Sequence, residues 1–586
     1  MFGTRMSDQE ALPGFIRRQK EIGAPSRSSR EEIDAALHVL QEHKDSWVTL
    51  GLGERIAILD QIREDLRRVA EEWVLVSTEA KGTRGNAYAE AEEWAFVAYV
   101  LRNVRLLAKS LRAIRKHSRP LIPGPVARQT NGQVVARVFP QSWVDRLMLP
   151  GTTADVWMQP DMTVDEMYNS QARFYREGHR RGRVALVLGA GNVSMLVPTD
   201  FLYKLFVEGQ VVVLKLNPVN AYLGPVLEKA FQRLVADGYL RIVYGGVSEG
   251  SYLCHHPLVD EIHTTASDKT YEDIVFGAGS EGARRKAERR PIIQKRFTGE
   301  LGNVTPVIVL PGAWSQADIA AQGALLARWL VINAGFNCLT PRVIVQWAKW
   351  PHRDALNKAI ADTLGQVPPR RAYYPHARER MEMFLSAHGE AQQFGPADAD
   401  RLPWTFIPGV DPENPNDICF RNEAFCGLFA ETALEATSAE EFLDQAVEFA
   451  NETLWGNLTA TIIAHPESLQ DGQLRGALDQ AIARLRYGMV LVNQFAGLGF
   501  FAMTTTWGAY PGNDIYDIQS GIGVTSNVLM FEYPEKTVIR SPFKLSPDPF
   551  ALTSRTVREF AKRMADIQYR PSVLKLPGLL MAVLRS

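Results

Sequence analysis

The sequence predicts an α/β protein built on parallel, helix-covered sheets. Three apolar runs, RVALVLG (183–189), VVVLKL (211–216) and LRIVYGG (240–246), have the length and continuous apolar character of strands buried inside a parallel sheet. Helix-like segments at 199–208 and 222–237 separate these runs. Strands that alternate with helices form βαβ units, so this stretch indicates one open parallel sheet.

A further strand is predicted at 259–265, and a second α/β series follows it. The second series comprises strands at 305–310, 341–347, 458–464 and 489–493 and helices at 317–333 and 472–486. A chain of 586 residues is long enough for more than one domain. The two series therefore predict more than one α/β unit.

The part of the chain before the first series is predicted to be helical. Ile33, Leu37 and Leu40 share one helix face, and a similar stripe runs through 59–69. A third helix is predicted over 87–111 and ends before the Pro- and Gly-containing segment 121–125. Residues 1–30 are polar, and we expect them to be flexible.

Composition excludes several classes of protein. Apolar residues make up 46%, charged residues 22%, and the formal net charge is −1, which gives no reason to expect nucleic acid or an anionic membrane as a partner. No apolar signal segment and no run of 18 apolar residues is visible, so we expect no secretion and no membrane span. The basic run RRKAERR (284–290) is interpreted as a solvated surface.

Cysteine usage favours a reducing compartment. No pair of cysteines has C-x-x-C spacing, and four in 586 residues are too few for a disulfide framework. We therefore expect a cytoplasmic protein with free thiols and no metal site. The four are Cys254, Cys338, Cys419 and Cys426.

A glycine-rich turn follows the first predicted strand. Gly189-Ala-Gly191-Asn192-Val-Ser194 matches half of the dinucleotide fingerprint G-x-G-x-x-G, but serine replaces the third glycine and no acid follows about 20 residues later. On its own this turn is equally a strand-to-helix connection that needs glycine. Lys215 closes the second strand, where nucleotides bind in open α/β sheets, although a single lysine also suits a surface role.

These residues belong to a longer series of boxes that resembles the aldehyde dehydrogenase superfamily. The resemblance covers roughly residues 30–540, and the order of the boxes is that of the family. The boxes are GNVSMLVPTDFLYKLFVEGQVVVLKLNP (191–218), RIVYGGVSEGSYLCHHPLVDEIHTTAS (241–267), FTGELGNVTPVIV (297–309), NAGFNCLTPRVIV (333–345), NEAFCGLF (422–429), WGNLTATIIA (455–464), MVLVNQ (489–494) and WGAYPGN (507–513).

The resemblance implies an enzyme that oxidises an aldehyde to a carboxylic acid. Cys338 matches the family nucleophile, which attacks the carbonyl to form a thiohemiacetal and then a thioester. Asn192 matches the side chain that donates to the oxyanion, and Glu300 matches the base that activates water. Without the resemblance, the same residues would be interpreted as a buried thiol, a turn asparagine and a surface carboxylate.

The resemblance also implies NAD or NADP as cofactor. Lys215 and Glu423 match residues that hold the ribose hydroxyls, and Ser267 matches the serine at the pyrophosphate. Phe425 would pack near the nicotinamide, and Gly246 belongs to the cofactor-binding run of spaced glycines.

Three departures from the family pattern predict an outlying branch. Pro218 stands where many NAD-preferring members carry an acid, so NADP is admissible. Ala266 replaces a glycine of the pyrophosphate turn, and Cys426-Gly427 replaces a Gly-Pro pair. Two alternatives remain open at this point: an enzyme that passes the acyl group to or from coenzyme A, and a binding protein that keeps the fold without catalysis. Glu300 favours hydrolysis, because acylating members commonly lack that base.

The predicted organisation is an aldehyde dehydrogenase-like fold with two Rossmann-like domains and a small oligomerisation β-element, and we expect a homodimer or homotetramer. The segment 536–543 resembles the terminal oligomerisation strand. Beyond it lies a C-terminal extension that either docks on a subunit or forms a lid or membrane contact. The predicted divisions are a flexible segment at 1–30, a cofactor-binding domain at 31–300 with an oligomerisation excursion near 125–175, a catalytic domain at 301–490, a return to the cofactor domain with the oligomerisation strand at 491–545, and the extension at 546–586.

Overall fold

The computed structural model describes residues 23–129, 131–178, 181–544 and 548–585, so residues 1–22 of the segment predicted to be flexible lie outside it. The strands are β1 Val126–Arg128, β2 Val134–Phe139, β3 Thr153–Met158, β4 Val184–Leu188, β5 Val211–Leu216, β6 Leu240–Tyr244, β7 Glu261–Ala266, β8 Arg296–Leu301, β9 Thr305–Val309, β10 Pro341–Trp347, β11 Gln392–Phe394, β12 Trp404–Val410, β13 Leu428–Leu434, β14 Thr459–Ile463, β15 Met489–Val492, β16 Trp507–Gly508, β17 Gly521–Ile522, β18 Val524–Thr525 and β19 Pro534–Arg540.

The α-helices cover the faces of the sheets. They are α1 Arg30–Thr49, α2 Leu52–Lys81, α3 Ala87–His117, α4 Trp143–Met148, α5 Val164–Ser170, α6 Arg173–Arg176, α7 Leu196–Phe206, α8 Gly224–Ala230, α9 Gln232–Ala236, α10 Val247–His255, α11 Asp268–Val275, α12 Gly279–Ala287, α13 Gln316–Val331, α14 Arg353–Gln366, α15 Ala377–Ala387, α16 Ile418–Arg421, α17 Ala439–Glu448, α18 Gly472–Arg484, α19 Gly497–Ala502, α20 Val557–Tyr569 and α21 Leu576–Leu584.

The first α/β series forms a six-stranded sheet in the order β17-β8-β7-β4-β5-β6. Strands β4 to β8 are parallel, and β17 adds an antiparallel edge beside β8. Every residue of β5 is buried, as the continuous apolar run predicts for a strand covered on both faces. The chain order therefore brings the carboxyl ends of β4 to β8 together at one edge, which is where such sheets bind ligands.

The second series forms a sheet of eleven strands in the order β1-β2-β3-β19-β15-β14-β9-β10-β13-β12-β11. Its centre is parallel, whereas β3 pairs antiparallel with β19 and with β2. The strand near 536–543 therefore joins the excursion strands to the rest of the sheet within one chain. This mixed α/β architecture is the predicted fold class.

One predicted helix is interrupted in the structure. The segment 222–237 was expected to be continuous, but it divides into the end of a 3₁₀ helix (Pro218–Leu223), α8 and α9. Pro225 lies in the first turn of α8, where its missing N–H is tolerated. Phe231 between α8 and α9 leaves the helical conformation at φ −116° and ψ 23°. The apolar periodicity is unaffected by such a break, so it could not reveal it.

The C-terminal segment packs on the N-terminal helices of its own chain. Helix α20 lies along α3, with Phe560, Met564 and Ile567 buried. The side chains of Arg102 and Arg105 on α3 donate to the Gln568 side-chain oxygen at 3.3 and 2.8 Å. This is docking on the same subunit, one of the two roles predicted for the extension. No helix within the described ranges is long and apolar enough to cross a bilayer.

Candidate active site

Cys338 lies in a tight loop between α13 and β10. Its side chain is buried, with 8% of the residue exposed. The loop takes left-handed backbone conformations at Asn333 (φ 50°) and Gly335 (φ 80°), and a Cβ at Gly335 would lie 2.4 Å from the carbonyl oxygen of Cys426. The guanidinium of Arg342 on β10 donates to the Gly335 carbonyl at 2.8 Å. These contacts fix the backbone that carries the thiol.

Asn192 lies in the turn after β4 and is tied to the cysteine loop from two directions. Its side-chain amide donates to the carbonyl oxygen of Phe336 at 2.9 Å. Its own carbonyl oxygen accepts from the Tyr373 hydroxyl at 2.7 Å and from the Asn333 amide at 3.1 Å. The turn needs glycine before it, because a Cβ at Gly191 would lie 2.8 Å from the Asn217 side chain. Asn192 and the cysteine loop are therefore held as one unit.

A buried ion pair supports this unit from below. Lys81 on α2 pairs with Glu93 on α3 at 2.7 Å, and its ammonium also donates to the Asn333 side chain at 3.2 Å. Glu93 in turn accepts from the Ser194 hydroxyl at 3.0 Å, which accepts from the Trp73 indole at 3.1 Å. Ser194, which replaces the third glycine of the fingerprint, is thus a member of this hydrogen-bond network.

Glu300 near the end of β8 faces the thiol. Burial raises the pKa of the Glu300 carboxyl to about 8; the Cys338 thiol and the Trp507 indole oppose this rise, and the charge of Asp200 adds to it. Burial and the neighbouring Glu300 raise the pKa of the Cys338 thiol well above its usual range. A thiol reacts through its thiolate, so a nucleophilic Cys338 would need a group that accepts its proton, and Glu300 is the carboxylate in contact with it.

Glu423 completes this cluster on the loop before β13. Burial raises the pKa of its carboxyl to about 8, with Arg342 acting in the opposite direction. Among the described residues, its Oε1 atom is buried with no hydrogen-bond partner. A Cβ at Gly302 would lie 1.9 Å from Oε2 of Glu423, so this glycine makes room for the carboxylate.

The other predicted cofactor residues lie along the carboxyl ends of the six-stranded sheet. Lys215 is buried on β5, and its Nζ lies 3.9 Å from the Cβ position of Gly250 on α10. Gly246 begins α10, and its N–H donates to the Glu249 carboxylate at 2.7 Å. Ser267 caps α11 by accepting from the Thr270 N–H at 3.2 Å.

Phe425 lies two residues after Glu423 on the same loop. Its ring contacts Tyr374 edge-on at 4.9 Å and lies 6.2 Å from the Phe336 ring. Its backbone is left-handed at φ 43°, and the Arg380 guanidinium donates to its carbonyl at 3.2 Å. An unsatisfied buried acceptor at Glu423, a lysine at a strand end and a serine at a helix N-terminus are the donor and acceptor types that a dinucleotide requires.

Comparison with known sequences identifies one family. Residues 162–366 match the model of the aldehyde dehydrogenase family. 4-Trimethylaminobutyraldehyde dehydrogenase A from Danio rerio is 30% identical over 164 residues, which are 28% of this chain and 29% of that protein. N-succinylglutamate 5-semialdehyde dehydrogenase from Sphingopyxis alaskensis is 24% identical over 201 residues, 34% of this chain and 37% of that protein. The matches thus span about a third of the curated relatives' length.

Solved structures extend the likeness to most of the chain. An NAD-dependent aldehyde dehydrogenase from Sinorhizobium meliloti has 18% identity and a TM-score of 0.58, with 89% of each chain covered. Glyceraldehyde-3-phosphate dehydrogenase from Methanocaldococcus jannaschii, complexed with NADP, has 16% identity and a TM-score of 0.58, with 88% of this chain and 95% of that chain covered. Residues 162–366 thus match the aldehyde dehydrogenase family, and the chain as a whole has the fold of aldehyde dehydrogenases.

Within the aldehyde dehydrogenase fold, the structure brings together Cys338, Asn192, Glu300 and Glu423, and it places Lys215, Gly246 and Ser267 along one sheet edge. Sequence reasoning missed the residues that hold the site from behind. Three of these residues lie outside every family box: Lys81, Glu93 and Tyr373. The fourth, Asn333, is the first residue of the cysteine box, but no role was predicted for it. Lys81 and Glu93 lie in amphipathic helices, where a charged residue would ordinarily be assigned to the solvent face. Only their burial in the fold distinguishes them.

Proposed function

We propose that this protein oxidises an aldehyde to a carboxylic acid with NAD⁺ or NADP⁺. The observation that carries the proposal is that a buried thiol, a side-chain amide and a buried carboxylate lie together at the loop that carries Cys338. The amide is that of Asn192 and the carboxylate is that of Glu300. A nucleophile, an oxyanion donor and a base are the three groups that acyl transfer through cysteine requires.

In the first half of the reaction, Cys338 is the nucleophile. Its thiol gives a proton to the ionised Glu300, and the thiolate adds to the aldehyde carbonyl. The oxygen that becomes negative accepts hydrogen bonds from the Asn192 amide and the Cys338 backbone N–H. Each such donor lowers the barrier by about 3–4 kcal/mol in related oxyanion holes. The dinucleotide, when bound, supplies the acceptor for the hydride that leaves the substrate carbon.

In the second half, Glu300 is the general base. Glu300 first releases to solvent the proton that it took from the thiol. Water then attacks the thioester on Cys338, and the Glu300 carboxylate takes the water proton. The carbon–sulfur bond breaks, the carboxylic acid leaves, and the Cys338 thiolate regains its proton from Glu300. A base whose pKa lies near the working pH is effective in such a step, and burial brings Glu300 into that range.

The dinucleotide is proposed to lie along the carboxyl ends of β4 to β8. Glu423 would accept hydrogen bonds from its ribose hydroxyls, and Lys215 would donate to them. Ser267 and the start of α11 would face its pyrophosphate. Phe425 would pack against the nicotinamide. Pro218 adds no negative charge beside Lys215, so both NAD⁺ and NADP⁺ are proposed.

A homodimer or homotetramer is proposed from the resemblance, and light scattering of the purified chain tests it.

The test is a turnover assay with straight-chain aldehydes of graded length, each with NAD⁺ or NADP⁺ and with or without coenzyme A. We expect reduced dinucleotide and free acid in equal amounts without coenzyme A. Strict dependence on coenzyme A, with an acyl thioester as product, would replace hydrolysis by the acylating reaction. Failure of either dinucleotide to bind at millimolar concentration would favour a non-catalytic protein that has kept the fold.

A further inference from the structure

A second cluster of metal-ligand-type side chains lies where α15 ends and α16 begins, just before the Glu423 loop in sequence. His388 ends α15, Asp417 precedes α16, and Cys419 lies within α16. One potential ligand atom from each residue lies within 4.8 Å of the others. The imidazole and the thiol are buried, at 8% and 3% of each residue exposed, so the cluster is enclosed by protein.

Both ring nitrogens of His388 face carboxylates. Nδ1 lies 3.0 Å from the Glu390 carboxylate, and Nε2 lies 3.0 Å from Oδ1 of Asp417. Among the residues that the structure describes, neither Asp417 nor Glu390 pairs with a lysine or an arginine. Two carboxylates and a thiol therefore surround one imidazole, and a divalent cation would complete the charge balance.

We propose that His388 Nε2, Asp417 and Cys419 Sγ bind a zinc ion. Imidazole, carboxylate and thiolate together are a donor set that zinc accepts, with a water molecule as a fourth ligand. Tetrahedral bonds of about 2.0–2.3 Å place ligand atoms roughly 3.3–3.8 Å apart. The three ligand atoms here lie within 4.8 Å of one another without an ion. The sequence hid this site, because His388 precedes Asp417 by 29 residues and no C-x-x-C pair marks it.

Glu390 has the position of a supporting residue for the metal ligand. Metal-binding histidines commonly donate their second ring N–H to a carboxylate, which fixes the ring and increases its basicity. The contact between His388 Nδ1 and Glu390 supplies that arrangement. Asp417 keeps its second role as the cap of α16, since its Oδ1 accepts the Cys419 N–H at 2.9 Å.

Zinc binding should release a proton. In the metal-free protein the Cys419 thiol carries its proton, because burial raises the pKa of this thiol. Zinc binds the thiolate, so this proton leaves when the ion binds, and affinity should fall as pH decreases.

The position of the site gives it a structural role. It joins the end of α15 to the segment that leads directly into Glu423. The same helix carries Arg380, whose guanidinium donates to the carbonyls of Ala424 and Phe425 at 3.1 and 3.2 Å. Arg380 thus holds the residues after Glu423, and a metal bound by His388, Asp417 and Cys419 would hold the residues before it. The inference does not depend on the proposed function, since it concerns metal content and not turnover.

The test uses the full-length protein stripped with chelator and reloaded with zinc or with cobalt as a spectroscopic substitute. We expect one zinc per chain by elemental analysis and a thiolate-to-cobalt charge-transfer band in the near ultraviolet. Cys419→Ser should abolish the band, and His388→Gln should reduce zinc affinity at least 100-fold. Glu390→Gln should reduce it about 10- to 100-fold, as for other supporting residues. Cys254→Ser, a buried cysteine far from the cluster in sequence, is the matched control and should keep the band.

Two outcomes overturn the proposal. The first is a wild-type protein that takes up no zinc above the level in buffer. The second is unchanged zinc affinity in both His388→Gln and Cys419→Ser. Because Cys419→Ser could unfold the chain, Asp417→Asn serves as a further variant that keeps the helix cap and removes the charge. It should fold with wild-type circular dichroism and lose the zinc-induced rise in Tm; retention of that rise would also count against the site.

Discussion

The side-chain amide of Asn192 donates a 2.9 Å hydrogen bond to the carbonyl oxygen of Phe336, two positions before Cys338. The proposed oxyanion donor and the proposed nucleophile are thus joined before any substrate binds. The amide must turn from this carbonyl toward the substrate oxygen, while the Asn192 backbone stays fixed by Tyr373 and Asn333. The proposed oxyanion hole is therefore built from two loops, the turn that carries Asn192 and the loop that carries Cys338, which hydrogen bonds hold together.

Removing the amide should slow the chemistry without weakening dinucleotide binding. Asn192→Ala is expected to lower kcat/KM about 10²- to 10³-fold, since one oxyanion donor is lost. Asn131→Ala, at an exposed asparagine, is the control and should retain full activity. Steady-state kinetics and fluorescence titration with the reduced dinucleotide measure the two effects. A matching rise in the dinucleotide Kd would indicate a structural role for Asn192 instead.

The buried pair Lys81–Glu93 should be sensitive to the loss of its cation. Lys81→Met leaves Glu93 charged and without its partner, which costs about 3–5 kcal/mol in the free energy of unfolding. Lys229→Met breaks a pair with Glu72 that lies in solvent, and it should cost less than about 1 kcal/mol. Urea denaturation of both variants gives the comparison. Equal costs would show that the network around Asn333 carries no special burial penalty.

Deacylation should depend on pH through Glu300. The pKa of this carboxyl is raised to about 8, so the group is largely protonated below that pH and ionised above it. A general base must be ionised, so we expect the deacylation rate to increase with pH up to about 8 and then level off. Asp200→Asn removes a negative neighbour of Glu300, so less repulsion opposes ionisation of the Glu300 carboxyl. The rise of the deacylation rate should therefore move to lower pH in this variant. Stopped-flow turnover across pH 6–10 tests the direction, and a shift to higher pH would contradict the assignment.

Gly302 should be required for the position of Glu423. In Gly302→Ala the new Cβ would lie 1.9 Å from Oε2 of Glu423, so the carboxylate must move. We expect the KM for the dinucleotide to rise by on the order of 10-fold or more, with a smaller change for the aldehyde. The control is Gly476→Ala on α18, where a Cβ meets nothing within 4 Å. An unchanged dinucleotide KM in Gly302→Ala would remove Glu423 from the proposed cofactor contacts.

The C-terminal helices should differ in their contribution to stability. Removal of residues from 549 onward uncovers the face of α3 that Phe560 and Met564 bury, and it should lower Tm and cause aggregation. Removal from 571 onward deletes the exposed Leu574 and Leu584 together with only two buried residues of α21, Leu579 and Ala582, and it should lower Tm less than the longer truncation. Scanning calorimetry of both truncations separates the two helices. A neutral longer truncation would show that the docking of α20 is dispensable.

The sequence was sufficient for the parallel strands β4 to β7, β9, β10, β14 and β15, because burial on both faces leaves a continuous apolar run. The predicted strands at 211–216 and 341–347 coincide with β5 and β10, and the order of βα units determines their parallel pairing. The break at Phe231 could not be predicted, since both parts of the divided helix keep the same apolar face. The extent of a helix is decided by backbone conformation at one residue, which periodicity does not record.

For the site, the boxes indicated the residues that we propose to contact substrate and cofactor, but not the residues that hold them in place. Asn192 and Cys338 lie in boxes with local patterns, so they could be named. Lys81 contacts Asn333 across 252 positions of sequence, and no local pattern connects them. Ser194 was interpreted as a missing glycine, whereas its hydroxyl joins Trp73 to the ion pair. Contacts of this kind depend on tertiary packing alone.

The central claim is that Cys338 carries the acyl group, and peptide mass spectrometry tests it directly. Wild-type protein is mixed with aldehyde and dinucleotide, quenched in acid within the first turnover and digested. We predict one acyl group on the Cys338 peptide for each reduced dinucleotide formed, the same adduct after Cys254→Ser, and neither adduct nor reduced dinucleotide after Cys338→Ser. An acyl group on another residue, or wild-type turnover by Cys338→Ser, would contradict the account.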